Sequence, residues 1–343
     1  MKLFIFGSTG DLVKRKVMRA LQDLNKKDLE IFAIGRKPLD KEEYRKLICS
    51  DWCSINFRKN IHYVKVDFDS LEPKNLEEHM DKNEINFFYI SLPPAMHKPI
   101  FKLLAELLKN HKLKVLVEKP FGENEQSALE LQKFTESSGL KEHLVISDHY
   151  LFKKGFSSLS YPKIKNPKNI KIVSHEELGL ENRHGYYDSM GAIKDMIQSH
   201  FLNLILKNLK IKLNPETIKI NKFMKGQYED YERELGKASK TETFSLIEFE
   251  SEGKTFHLST GKAMKGKETF IEIDEQKIPA SDENSYIEIF KRFLSMNHKD
   301  FPTPEESVLG WKILKKFESA ESKNPKLSKY KKGSTFEEIT KKL

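Results

Sequence analysis

The sequence predicts an α/β chain in two parts: a doubly wound parallel sheet, then an α+β region whose sheet is mainly antiparallel. Three observations carry this. Through the first 150 residues, short apolar runs alternate with segments of helical period. Repeated βα units of that kind close into a parallel sheet through right-handed crossovers. After about Lys154 the alternation stops and β-rich segments follow one another as a meander. At 343 residues the chain is too long for one small core. Two domains are therefore expected, residues 1–150 and 151–343.

Leu3 to Phe6 is a short apolar run that reads as the first strand, and Asp11 to Leu24 has the period of a helix. Glu30 to Ile34 reads as the second strand, followed by a polar turn and a helix around Lys41 to Ile48. Phe87 to Ile90, Lys114 to Val117 and Leu144 to Ile146 read as further strands, with helices Met96 to Leu108 and Asn124 to Ser137 between them. Ser157 to Asn169 is rich in Pro, Ser and Lys and reads as irregular, and Ile170 to Glu176 as a strand. A long helix from about Tyr187 places Ile193, Met196, Ile197, Phe201 and Leu204 on one apolar stripe, and His200 falls on it. Strands near Thr243 to Phe249, Thr255 to Thr260 and Thr269 to Ile273 follow, then helices near Tyr286 to Met296 and Pro304 to Glu318. No internal repeat is present.

Composition narrows the class. Hydrophobic residues make up 38%, with 23 Phe as bulky core material, and charged residues 32%. No run of 18 apolar residues exists, so no spanning helix is expected. The apolar start MKLFIF is too short for a secretion signal, so a cytoplasmic protein is expected. The net charge of +9 comes from Lys interleaved with Glu and Asp, with only Lys323 to Lys332 as a basic cluster. That pattern points to a solvated surface with a bias toward anionic small molecules, not to nucleic acid. Cys49 and Cys53 lie four apart, on one side of an expected helix, and are expected to be reduced structural thiols. His62, His79, His97 and His111 show no metal-ligand spacing, so no metal site is expected.

Two features carry chemistry. Gly7-Ser8-Thr9-Gly10-Asp11, followed by Leu12, lies between the first strand and the first helix. In that context a GxxG turn reads as a phosphate cradle at a helix N-terminus, although a plain N-cap by Thr9 or Asp11 fits the same residues. The second strand ends in Gly35-Arg36-Lys37 with no carboxylate before Asp40. Arg36 suits a ribose 2′-phosphate, so NADP is favoured over NAD. His200 on a buried face needs a polar partner. The cluster Ser147-Asp148-His149-Tyr150-Leu151-Phe152-Lys153 offers one. An imidazole backed by a carboxylate is what a general base requires, and a core histidine satisfied by a backbone carbonyl is the alternative.

These segments together resemble the glucose-6-phosphate dehydrogenase family, with a Rossmann-type first domain. GSTGDLVKRK resembles the family's GASGDLAKRK, YISLPP its YLALPP, and VEKPFG contains its EKPFG unchanged. SDHYLFKK resembles DHYLGKE, and GLENRHGYYDSMGAIKDMIQSH resembles GVEGRGGYYDEFGALRDMVQNH. KGQY, KTETF, STGKAMKGK and YKKGS resemble RGQY, TETF, RTGKRLPRK and YPAGS, in the same order. The chain is shorter than typical members, with the missing length expected inside it, partly between Lys153 and Glu176. Phe152 stands for a glycine, Lys154 for a glutamate, Lys194 for an arginine and Ser199 for an asparagine.

The resemblance implies NADP-dependent oxidation of glucose 6-phosphate at C1, the entry step of the oxidative pentose phosphate route. It implies His200 as general base, Asp148 as its carboxylate partner, and Lys119 near the sugar hydroxyls and the nicotinamide, with Lys119-Pro120 a candidate cis peptide. It implies His149, Tyr150 and Lys153 as the 6-phosphate site, Glu176 and Asp195 as acceptors for sugar hydroxyls, and Lys262 as a substrate contact. Gly7 to Leu12, Arg36, Ser91, Leu92, Pro93 and Lys119 are implied at the nucleotide. A homodimer is implied through the second domain's sheet. A dehydrogenase of another sugar or sugar phosphate, and a non-catalytic NADP-binding protein, stay open.

Overall fold

A computed structural model of the protein describes residues 1–49, 52–68, 70–160, 166–180, 184–281, 283, 285–321 and 327–343. Arg183, the segment 161–165 and residues 323–326 of the basic cluster lie outside them. The chain divides into two compact units, residues 1–152 with 284–308, and residues 153–283 with 309–343.

The first unit is built on six parallel strands: β1 (Lys2–Phe6), β2 (Glu30–Gly35), β3 (Ile61–Lys65), β4 (Asn86–Ile90), β5 (Leu113–Glu118) and β6 (Leu144–Ser147), in the order β3-β2-β1-β4-β5-β6. Leu3, Phe4, Ile5 and Phe6 are all fully buried, because helices cover both faces and leave no reason for apolar and polar residues to alternate. Phe4 stacks between Phe32 at 5.0 Å and Phe88 at 4.9 Å, which pins β1 at the centre of the sheet. Burying each such ring is worth roughly 1.5–3 kcal/mol. The order reverses between β1 and β4, where a doubly wound sheet opens a crevice at the carboxyl ends of its strands.

The helix Ser285–Leu294, expected in the second domain, packs in the first unit. Its apolar face sets Phe290 against Tyr89 at 5.2 Å and Phe293 against Phe87 at 5.3 Å. Phe152 lies 4.8 Å from Phe301 and beneath the Arg292 guanidinium at 5.4 Å. A phenylalanine in place of the family's glycine therefore fills core space here.

The cysteine expectation is corrected: Cys49 and Cys53 are disulfide-bonded. Cys49 is the last residue of the helix Lys41–Cys49, and the chain then turns back, the Trp52 amide donating to the Cys49 carbonyl at 3.2 Å. That turn brings the two Cα atoms to 5.0 Å, within disulfide reach.

The second unit holds a seven-stranded sheet: β7 (Asn169–His175), β8 (Lys219–Tyr228), β9 (Phe244–Ser251), β10 (Lys254–Gly261), β11 (Glu268–Ile273), β12 (Gln276–Pro279) and β13 (Ser328–Tyr330). It runs β12-β11-β7-β10-β9-β8-β13, antiparallel except for the pairs β7–β10 and β8–β13. Period-two alternation puts Ile170, Ile172, Ile247, Phe249, Phe256, Leu258, Ile271 and Ile273 on one face. Phe249 stacks on Phe256 at 4.6 Å and meets Phe317, of the helix Pro304–Glu321, at 5.2 Å.

The long helix expected from Tyr187 is interrupted. Gly191 takes φ 69° and ψ 172°, which ends one helical segment, His184–Ala192, and starts another. The new segment, Ile193–Phe201, is wound as a π-helix, closed where the Leu202 amide donates to the Ile197 carbonyl. At 3.6-residue spacing Asp195 lies near His200 on the helix but points partly elsewhere. The wider i→i+5 winding brings residues five apart onto nearly one face.

Candidate active site

Every cofactor and catalytic residue expected in the first unit falls at the carboxyl end of a strand. Gly7 follows β1, Arg36 follows β2, Ser91 follows β4, Lys119 follows β5 and Asp148 follows β6. The sheet alone explains this gathering, since all five strands run the same way.

Gly7 has φ 76°, and a Cβ there would run into the Ser91 carbonyl, so only glycine lets β1 and β4 close the floor of the crevice. The Gly10 amide donates to the Gly7 carbonyl at 2.9 Å, which completes the turn into the helix. The Tyr44 hydroxyl donates to the Ser8 carbonyl at 3.0 Å from beneath, and the buried Ser8 Oγ has no protein partner. Thr9 continues the turn and Asp11 and Leu12 open the helix; Leu92 and Pro93 follow Ser91. Arg36 is exposed, one residue beyond β2. A pinched glycine turn and an orphan hydroxyl at a helix N-terminus fit a nicotinamide dinucleotide.

Glu118 pairs in register with Ser147, so Lys119 and Asp148 emerge from neighbouring strands. The Lys119-Pro120 peptide is cis. Asp148 is fully buried, and its Oδ1 accepts the Tyr150 amide at 3.0 Å. The His149 ring stacks on Tyr286 at 5.8 Å with 14° between planes and meets Tyr150 edge-on at 5.1 Å. Beneath them the Tyr89 hydroxyl donates to Glu118 at 2.5 Å. Burial pushes the Glu118 carboxyl up to about 7, opposed by the Tyr89 hydrogen bond and reinforced by the nearby Asp148.

In the second unit β7 and β10 run parallel with His175 opposite Gly261, so the next residues on each strand, Glu176 and Lys262, leave the sheet side by side. They form an ion pair, and the Lys262 ammonium lies over the Tyr187 ring at 5.1 Å. Lys262 is buried, as are Asp195 and His200 on the π-wound segment and Lys153 at the start of the unit. Burial, then Asp195 and Glu242, drive the Tyr187 hydroxyl well above its ordinary range. His175, next to Glu176, is held down to about 4 by burial, despite Glu268 at 3.1 Å.

The structure thus brings Gly7 to Ser91, Lys119 alongside Asp148, and Glu176 to Lys262. Tyr187, Tyr286 and Glu118 belong to these clusters and were not singled out from the sequence. Glu118 and Tyr187 lie inside the motifs VEKPFG and HGYYD and could have been found there. Tyr286 is reached only through the fold. Among the described residues, no helix is long and apolar enough to cross a membrane.

Comparison with known proteins bears on the whole chain. The family model for the NAD binding domain of glucose-6-phosphate dehydrogenase matches residues 4–156, and the model for its C-terminal domain matches residues 163–222. A glucose-6-phosphate 1-dehydrogenase of Helicobacter pylori is 30% identical over 320 residues, covering 79% of this chain and 75% of the relative. One from Rhizobium meliloti is 30% identical over 354 residues, covering 81% and 70%. A solved glucose-6-phosphate dehydrogenase in complex with its substrate glucose-6-phosphate superposes with a TM-score of 0.80 at 21% identity, over 97% of this chain and 94% of that one. A myo-inositol dehydrogenase from Corynebacterium glutamicum gives 0.64 at 13% identity, over 93% and 97%, and shares the fold.

Proposed function

The chain belongs to the glucose-6-phosphate dehydrogenase family, and we infer that it works as one. It is an oxidoreductase that oxidises D-glucose 6-phosphate at C1 to 6-phospho-D-glucono-1,5-lactone, at the head of the oxidative pentose phosphate pathway. It uses a nicotinamide cofactor. The observation that carries this reading is identity at 30% across three quarters of a glucose-6-phosphate 1-dehydrogenase.

The nicotinamide ring, when bound, accepts the hydride. His200 takes the proton from the C1 hydroxyl, and Asp148 fixes the imidazole tautomer and stabilises the imidazolium. A buried aspartate suits that part, because its charge is poorly screened. Lys119 meets the sugar hydroxyls beside the nicotinamide. His149, Tyr150 and Lys153 hold the 6-phosphate, supplying an imidazole, a hydroxyl and an ammonium to a group that needs several donors at once. Glu176 and Asp195 accept from sugar hydroxyls. Lys262, paired with Glu176 in the described structure, exchanges part of that pairing for substrate.

The finer assignments follow. NADP is preferred over NAD, with Arg36 on the 2′-phosphate; the absence of a carboxylate at the end of β2 supports this. Gly7 to Leu12 cradle the pyrophosphate, and Ser91, Leu92 and Pro93 line the nucleotide. The protein is a cytoplasmic homodimer, a reading supported by the family resemblance.

Initial rates of nicotinamide reduction with glucose 6-phosphate, glucose and galactose 6-phosphate test the substrate. Repeating them with NADP and NAD, in wild type and Arg36→Ala, tests the cofactor. The reading requires glucose 6-phosphate to dominate and Arg36→Ala to lose NADP preference. Equal rates with all sugars, or an unchanged cofactor ratio, would contradict it. Sedimentation velocity at assay concentration decides between dimer and monomer.

A further inference from the structure

The motifs KGQY, KTETF and YKKGS have no role in the chemistry above, yet they converge on one short segment, Thr241 to Thr243. Glu242 stands at the break before the helical segment that carries Asp195 and His200. Its carbonyl accepts the Ala192 amide at 3.0 Å and its carboxylate accepts the Ile193 amide at 2.9 Å. Ala192 supplies no side-chain cap of its own, so the segment borrows its cap from a residue about fifty positions away. A carboxylate there also meets the positive end of the helix dipole. Gly191 makes room for it, since a Cβ at that position would overlap the Glu242 carboxylate. One residue earlier, the Thr241 hydroxyl donates to the Asp188 carbonyl at 2.7 Å, holding the preceding helix to the same segment.

One residue later, the Thr243 carbonyl accepts the Lys262 amide at 2.9 Å. Thr243 Oγ1 meets the Tyr330 hydroxyl at 2.9 Å, and that hydroxyl donates to the Lys262 carbonyl at 2.6 Å. The turn after Tyr330 clips the same loop, the Gly333 amide donating to the Ala263 carbonyl at 2.8 Å. Gln227, of KGQY, anchors the segment by donating to the Thr241 carbonyl at 2.8 Å.

We propose that Glu242 is a positioning residue for the helix bearing His200, and that Tyr330 is a positioning residue for Lys262, both acting through the Thr241–Thr243 brace. The inference rests on the roles given to His200 and Lys262 above. Glu242→Ala keeps the backbone bond to the Ala192 amide but leaves the Ile193 amide without its carboxylate cap, and shifts the base. Glu242→Gln keeps an acceptor oxygen at the same place. Tyr330→Phe frees the lysine loop and leaves the helix cap intact.

The test measures kcat, KM for glucose 6-phosphate and NADP affinity for the three variants, with amide hydrogen exchange over residues 192–201 and 261–265. Glu242→Ala should lower kcat about tenfold or more with NADP affinity unchanged, and Glu242→Gln should restore it to within about twofold, the range expected when a group is displaced without being removed. Tyr330→Phe should raise KM about fivefold with kcat near wild type. Exchange should speed up in residues 192–201 only for Glu242→Ala and in residues 261–265 only for Tyr330→Phe. Loss in Glu242→Gln equal to that in Glu242→Ala, or exchange unchanged in both segments, overturns the inference. A wild type without glucose 6-phosphate turnover overturns the functional reading instead, and the exchange pattern still decides the brace.

Discussion

Replacing Glu118 by glutamine tests whether the carboxyl under the Lys119 and Asp148 loops is neutral when the protein is folded. Glu118 is 9% exposed and accepts the Tyr89 hydroxyl at 2.5 Å. Its pKa rises from an ordinary 4.5 to about 7, mainly through burial. A raised pKa means that the folded protein holds this proton where the unfolded chain has released it. Its contribution is therefore fully present below about pH 4.5 and is lost as the pH rises through about 7. At 1.36 kcal/mol per unit, the shift corresponds to about 3 kcal/mol, an upper figure because water and neighbours relax around buried groups. Glutamine is neutral at all pH values and can still accept from Tyr89. Urea unfolding of wild type and Glu118→Gln at pH 5 and pH 8 measures the effect. Relative to wild type, the variant should gain about 2–3 kcal/mol on going from pH 5 to pH 8. A difference that does not change with pH would show that burial does not raise the Glu118 carboxyl in the fold.

Two further outcomes follow from the same geometry. Gly7→Ala should weaken NADP binding at least about tenfold and lower the melting temperature, because it forces a side chain onto φ 76° and into the Ser91 carbonyl; unchanged nucleotide titration would place the cofactor elsewhere. Lys262→Met should raise KM for glucose 6-phosphate about tenfold to a hundredfold, the value of a charge-assisted contact, with a smaller effect on kcat; an unaltered KM would confine the Glu176 pair to a structural part.

Much of the fold was legible because the first sheet is covered on both faces. Runs such as LFIF and NFFYI leave little choice but a buried strand. β3 was missed because IHYVK lies at the sheet edge and buries only Ile61. β8 was missed because its lysines break the apolar pattern on a strand near the other sheet's edge. The helix Ser285–Leu294 showed its apolar stripe, but its return to the first unit depends on Phe87 and Tyr89, far away in sequence. The residues proposed for the site that belong to contiguous motifs, such as Asp148 and His200, could be singled out from the sequence. Glu242 and Tyr330 could not be given roles, because their partners at residues 192–193 and 262 lie far away in sequence and meet them only in the fold. The break at Gly191 was hidden because a glycine within a helical pattern is often tolerated, and only its φ of 69° reveals the turn.

The most direct test of the account is the steady-state rate of glucose 6-phosphate-dependent NADP reduction in wild type and His200→Asn, with nucleotide affinity measured on both. An asparagine keeps a polar side chain in the buried position but cannot take the C1 proton. Turnover should fall on the order of 10²–10⁴-fold while NADP binds as before. A variant as fast as wild type would show that the proton leaves by another group.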